Sequence, residues 1–109
     1  MKLLRVGEKG KEKPATLDKN SKIRDLSSHI KDFNSDNLKL ETVSKLKNIN
    51  LDKLPEIKRS ERIGACINKP GKFVAIGLNY SDHAKETGAK PPAEPIVFMK
   101  ATSSISGPN

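Results

Sequence analysis

Apolar residues are thinly spread over the first seventy positions and then bunch into two dense runs. In the first part, "KLLRVG", "KPATLD" and "KIRDLS" are short β-type stretches separated by "GEKGKEKP" and "DKNSK". Runs of this kind bounded by Gly and charge predict strands joined by tight turns, and so a small antiparallel meander. Pro14 stands at the start of the second run, where a missing N–H is tolerated. "SSHIKDF" predicts one or two helical turns. "NLKLETVSKLKNIN" spaces Leu40, Val43, Leu46 and Ile49 by three. That stripe predicts a helix near 40–48 packed against the meander, with Glu41 and Lys45 placed to pair. "LDKLPEIKRSERIG" reads as loop broken by Pro55, and "NKPGK" at 68–72 as the boundary between two units.

Past that boundary the pattern changes. "KFVAIGL" and "PIVFMKA" are continuous apolar runs, which predict strands buried on both faces. Between them "SDHAKETG" predicts a short helix closed by Gly88, and the three prolines of "AKPPAEP" require a loop. The fold class is therefore α+β. Residues 1–67 form a small antiparallel β domain with a helix, and residues 71–109 supply the first strands and short helix of a second, β-rich domain.

Composition narrows the function. The chain has 109 residues and a formal net charge of +8, which raises the question of an anionic partner. However, residues 1–68 carry 16 of the 21 basic residues together with 10 of the 13 acidic ones, interleaved one by one. With no aromatic residues set among the cations for base stacking, nucleic acid is not an expected partner. The single cysteine, Cys66, allows no intramolecular disulfide, and its setting in "IGACI" predicts a small buried hydrophobe. No run approaches the ~18 apolar residues of a membrane helix, and the amino terminus lacks the long apolar segment of a secretory signal. A cytoplasmic chain with no membrane partner is expected.

The candidate chemistry lies at "NYSDHAKE", directly after the first apolar run. On a helical turn residues three apart share a face, so His83 and Glu86 become neighbours. A carboxylate bonded to one imidazole nitrogen fixes the tautomer and leaves the other nitrogen to take a proton, as a general base requires. Ser81 or Asp82 is placed to cap the turn. The plainer alternative is a weak surface contact between His83 and Glu86. Position favours chemistry, because sites are commonly built just past the end of a buried strand. Lys100 stands in the same relation to its own strand. His29 has no comparable setting and reads as structural.

These residues carry a resemblance. "GKFVAIGLNYSDHAKE" followed by "PPAEPIVFMKATSSISGP" resembles the start of the catalytic domain in the fumarylacetoacetate hydrolase superfamily. The shared features are a strand ending in G-x-N-Y, then D-H-A-x-E, a proline loop, F-x-K, and nearby serines before G-P. Residues 1–67 resemble the small amino-terminal domain of bacterial members, among them ureidoglycolate lyases and 2-hydroxyhepta-2,4-diene-1,7-dioate isomerases. The resemblance implies an enzyme that hydrolyses, cleaves or isomerises small keto acids with Mg²⁺ or Mn²⁺, or Ca²⁺, and that forms a homodimer. His83 would be the general base and Glu86 its orienting partner. Lys100, Tyr80 and Asn79 would contact substrate. The family's metal-binding Glu-x-Glu and later Asp have no counterpart here, so the ligands are expected beyond Asn109 and the 109 residues alone are expected to be inactive. The competing expectation is a stand-alone basic interaction module without catalysis.

Overall fold

A computed structural model of the chain describes residues 1–108. Its two sheets are antiparallel and its helices short, an α+β arrangement. The chain divides into one unit of Met1–Pro70 with Ile105–Asn109 and another of Gly71–Ser104.

In the first unit, β1 (Lys2–Val6), β2 (Lys13–Leu17) and β3 (Ile23–Asp25) form the expected meander, with Leu4 opposite Ala15 and Leu17 opposite Ile23. The stretch after Pro55 departs from the loop expected there. Glu56–Ile57 is a two-residue strand, β4, paired with β3, and Leu51–Lys53 is a turn of 3₁₀ helix. Beyond β4 the chain returns to the free edge of β1. Ile63 bridges Val6, Gly7 N donates to Arg62 O, and Gly64 N donates to Arg5 O. The β1 edge of this small sheet is thus partly occupied, which limits open-edge pairing there.

Alternation along the strands separates two apolar clusters. Val6, Ala15 and Ile23 are buried on one side with Leu4, Leu17, Ile57 and Ile63 packed around them. Leu3, on the opposite face of β1, joins the other cluster of Leu26, Ile30, Phe33, Leu46 and Leu54. The segment after β3 is a hydrogen-bonded turn rather than a helix, with the N–H groups of His29 and Ile30 both donating to Leu26 O.

Helix α1 spans Leu40–Lys47, and Lys45 pairs with Glu41 at 2.6 Å. Its stripe does not pack as a unit. Leu46 is buried, Val43 and Ile49 are half-buried, and Leu40 is 89% exposed. The reason is geometric: at about 100° per residue, a strict spacing of three drifts by about 60° at each step. Leu40 therefore lies roughly 120° around the helix from Leu46, and Leu38 packs against the core instead. The cluster that takes Leu46 draws Leu26, Ile30 and Phe33 from the turn after β3, with Leu3 the contribution from the meander.

A network of charged residues holds the connection out of this unit. Arg5 donates from Nε to Asp32 Oδ1 at 2.7 Å, from Nη2 to Asp32 Oδ2 at 3.1 Å and to Glu12 Oε2 at 3.3 Å, and from Nη1 to Ala65 O at 3.3 Å. Arg62 reaches Glu12 Oε1 at 3.0 Å, and Asn68 Nδ2 reaches Asp32 Oδ2 at 2.7 Å. Gly64 is required by this packing, because a Cβ there would stand 2.8 Å from Glu12 Oε1. Cys66, expected inside, is exposed. The apolar contacts of its segment are made by Ile63 and Ile67 instead.

In the second unit, β5 (Phe73–Gly77) and β6 (Ile96–Lys100) form an antiparallel hairpin around α2 (Ser81–Glu86) and the proline loop. The expectation that both strands are buried on both faces is not met. Every residue of β6 is exposed, and β5 alternates between half-buried and exposed. Among the described residues the sheet has two strands. Strand-type apolar runs become buried only where further strands or layers cover them. Among the described residues, no helix is long and apolar enough to cross a membrane.

Candidate functional site

Strand β5 stops because the backbone turns sharply after Gly77. Leu78 takes a φ of +48°, a left-handed conformation that costs free energy for a residue with a branched side chain. A Cβ on Gly77 would meet Ile96 at 3.4 Å across the hairpin. The turn redirects the chain through Asn79 and Tyr80 into α2. The N-cap is Tyr80, and no side chain caps it, so neither Ser81 nor Asp82 takes the role expected from the sequence.

The far end of α2 is closed as the sequence predicts. Gly88 has a φ of +68°, its N–H donates to Lys85 O, and the N–H of Ala89 donates to Ala84 O. This is the six-to-one and five-to-two pattern of a glycine-terminated helix. Thr87 adds a side-chain bond from Oγ1 to His83 O at 3.0 Å. Ala84 is fully buried and anchors the helix.

His83 and Glu86 lie one turn apart on α2, and both are exposed. Among the described residues, no hydrogen bond or ion pair joins their side chains. The spacing puts them on neighbouring faces, and solvent meets both polar ends. Tyr80 is 75% exposed. A groove of about 330 Å³ lies at the start of α2, lined by Gly77, Leu78, Asn79 and Ser81 on one side and by residues 91–95 on the other; Tyr80, His83 and Glu86 are not among its lining residues. Sequence reasoning did not assign Leu78 or Glu94 to this wall. The available signals were the abrupt G-L-N turn and the rigid "PPAEP".

Lys100 falls elsewhere. Phe73 pairs with Lys100 and Gly77 pairs with Ile96, so Lys100 sits at the end of the hairpin opposite α2. Four residues of strand separate those ends, roughly 13 Å. Its ammonium lies 5.8 Å from the centre of the Phe73 ring. His83 follows the carboxyl end of β5, and Lys100 is the last residue of β6. In an antiparallel pair those two ends point in opposite directions, which the sequence pattern alone did not resolve.

Among the described residues, no group of three or more His, Cys, Asp or Glu side chains could hold a metal ion. Asp82, His83, Glu86 and Glu94 do not form such a set, so the residues present do not fit the divalent ion that the resemblance implies. A larger groove of about 440 Å³ lies in the first unit over Val6 and Ile57. Three lysines and three glutamates rim it, so it offers no net charge to a ligand.

No protein-family model matches the chain. It is similar to proteins named "Putative hydrolase" from Burkholderia species. The identity is 52% with one from Burkholderia ambifaria, 51% with one from Burkholderia lata and 50% with one from Burkholderia multivorans, each over all 109 residues. The chain spans 39% of the length of each of these relatives.

Proposed function

We propose that the chain is part of a hydrolase acting on small oxo acids, of the fumarylacetoacetate hydrolase kind. The observation that carries this reading is the placement of "GLNYSDHAKE": His83 and Glu86 stand on a short helix just past the end of β5, and an open groove lies at the start of that helix. The hydrolase name borne by relatives at about half identity supports the reaction class.

In this reading a substrate carbonyl lies in the groove near Asn79, whose amide can donate to a carbonyl or carboxylate oxygen. His83 accepts a proton from water as the water oxygen adds to the carbonyl carbon. The adjacent carbon–carbon bond then breaks, its electron pair goes to the departing carbon, and His83 returns the proton there. Glu86 is a positioning residue. Held one turn away, it can swing onto the free imidazole nitrogen and favour the protonated ring. Catalytic hydrogen bonds are often loose before substrate arrives, which agrees with two exposed side chains. Tyr80 flanks the same turn. Lys100, at the other end of the hairpin, has no part in this step.

None of these steps uses a metal. The Mg²⁺ or Mn²⁺ of the resemblance would need oxygen ligands from outside these residues, since hard divalent cations require several converging oxygens. The direct test replaces the matched stretch of the Burkholderia ambifaria protein with this chain and assays acylpyruvates and ureidoglycolate with product analysis. The reading expects pyruvate and a second carboxylic acid from an acylpyruvate. A folded protein with no turnover on any small oxo acid contradicts it.

A further inference from the structure

The exposed large apolar side chains of the molecule are concentrated on one element. Apart from Met1, Leu40 and Tyr80, all of them belong to the β5–β6 hairpin. The register sorts them by face: Val74 pairs with Met99 and Ile76 with Val97, so these four share one side. Their exposures run from 43% to 61%, an unbroken apolar surface in water. The opposite side carries Phe98 and Ile96, which are also more than two-fifths exposed. Among the described residues each strand pairs only with the other, so no strand is paired on either outer edge.

An isolated two-stranded hairpin is marginal in water and requires more strands or a covering layer. Apolar residues on both faces mark a strand pair from the interior of a larger sheet, not one half-packed on a core. We propose that this hairpin is the docking surface for the rest of a longer polypeptide. A further strand would pair on the free edge of β6, and an apolar layer would cover Val74, Ile76, Val97 and Met99. This rests on the reading of the chain as part of a larger enzyme, but not on the reaction assigned to it. The relatives leave about three-fifths of their length for that role. A second copy of this chain fits less well. Edge to edge, it would extend the sheet and leave both faces bare; face to face, it would cover one face and leave the edges open. Of the two strands β6 is the barer, with all five residues exposed, whereas three of five in β5 are half-buried.

Hydrogen exchange read by mass spectrometry on the 96–100 stretch tests this in two proteins. One is the 109-residue chain and the other is the same chain grafted in place of its matched stretch in the Burkholderia ambifaria protein. If the graft does not fold, the intact Burkholderia protein is read at its own matched strand. The proposal expects the β6 amides that point away from β5 to exchange about 10²-fold or more slowly in the longer protein, as for strands that enter a stable core. Equal exchange in both overturns it. Concentration-dependent dimerisation of the 109-residue chain that itself protects β6 also overturns it, in favour of a second copy. Protection in a longer protein with no turnover leaves the docking intact and removes only the proposed activity.

Discussion

Arg5 grips Asp32 through both carboxylate oxygens, at 2.7 Å and 3.1 Å, across 27 positions of sequence. Arg5 is almost completely buried and Asp32 half-buried, and the same guanidinium also bonds Glu12 and the Ala65 carbonyl. One side chain therefore ties β1 to the turn after β3 and to the segment that leads out of the first unit. A planar guanidinium suits this task because its five donors are fixed in a fork.

Replacing Arg5 with Met leaves the half-buried Asp32 without its cation and leaves Glu12 to Arg62 alone. Breaking one side of a buried pair in this way costs more than the pair itself contributes. Arg5→Met is expected to lower the stability of the first unit by about 2–4 kcal/mol. Arg5→Lys should recover only part of this, because an ammonium cannot span both oxygens. Urea midpoints for the three proteins check the order, and an unchanged midpoint for Arg5→Met contradicts it.

The same network predicts acid sensitivity. Burial pushes the Asp32 carboxyl upward, but hydrogen bonds from Arg5, Phe33 N–H and Asn68, with the charge of Arg5, outweigh it and hold the group below the usual carboxylate range. Glu12 behaves likewise: burial opposes, and its own N–H, Arg62, Arg5 and Gly10 N–H prevail. Asp18 is lowered first by the Lys22 N–H, against burial, and then by Arg24 and Asn20 N–H. Each group binds protons more readily when unfolded than when folded. Their stabilisation is therefore complete above the ordinary carboxylate value near about 4 and is lost as the pH falls below it. Urea midpoints should be level from neutral pH to about 5 and then drop. The drop should shrink in Asp32→Asn, and a midpoint that rises on acidification contradicts the account.

Much of the first unit was legible in the sequence, for reasons that stop at identifiable points. Gly- and charge-rich turns delimit β1 to β3, and the Schellman closure at Gly88 follows from a glycine just past a helix. Leu40 was misread because a spacing of three approximates a helix face only over a turn or two. β4 was missed because two residues carry no period, and its pairing with β3 is a long-range event. Cys66 was placed inside on local apolarity alone. The apolar runs gave β5 and β6 correctly as strands, but burial depends on what lies across the sheet, which is not written in the strand. At the candidate site the sequence brought His83 and Glu86 to one short helix. It could not tell that Lys100 would lie at the opposite end of the hairpin.

The two leucines of α1 offer a compact check on its orientation. Leu46→Ala removes a buried side chain from the cluster with Phe33 and should cost about 2–4 kcal/mol. Leu40→Ala removes one that is 89% exposed and should stay within about 0.5 kcal/mol. Equal losses in thermal or urea unfolding would mean that the helix presents a different face.

The central claim is that His83, on the short helix after β5, is the general base of an oxo-acid hydrolase. Steady-state kinetics of His83→Ala, in the longer protein carrying this chain, test it most directly. Losing such a base should lower kcat by about 10²–10⁴-fold. Glu86→Gln should fall less, because the imidazole remains and loses only the anion that orients it. His29→Ala should be nearly silent, as its turn belongs to the first unit and not to the one that carries α2. A folded His83→Ala protein that turns over an acylpyruvate at the parent rate would contradict the account and leave α2 a structural element.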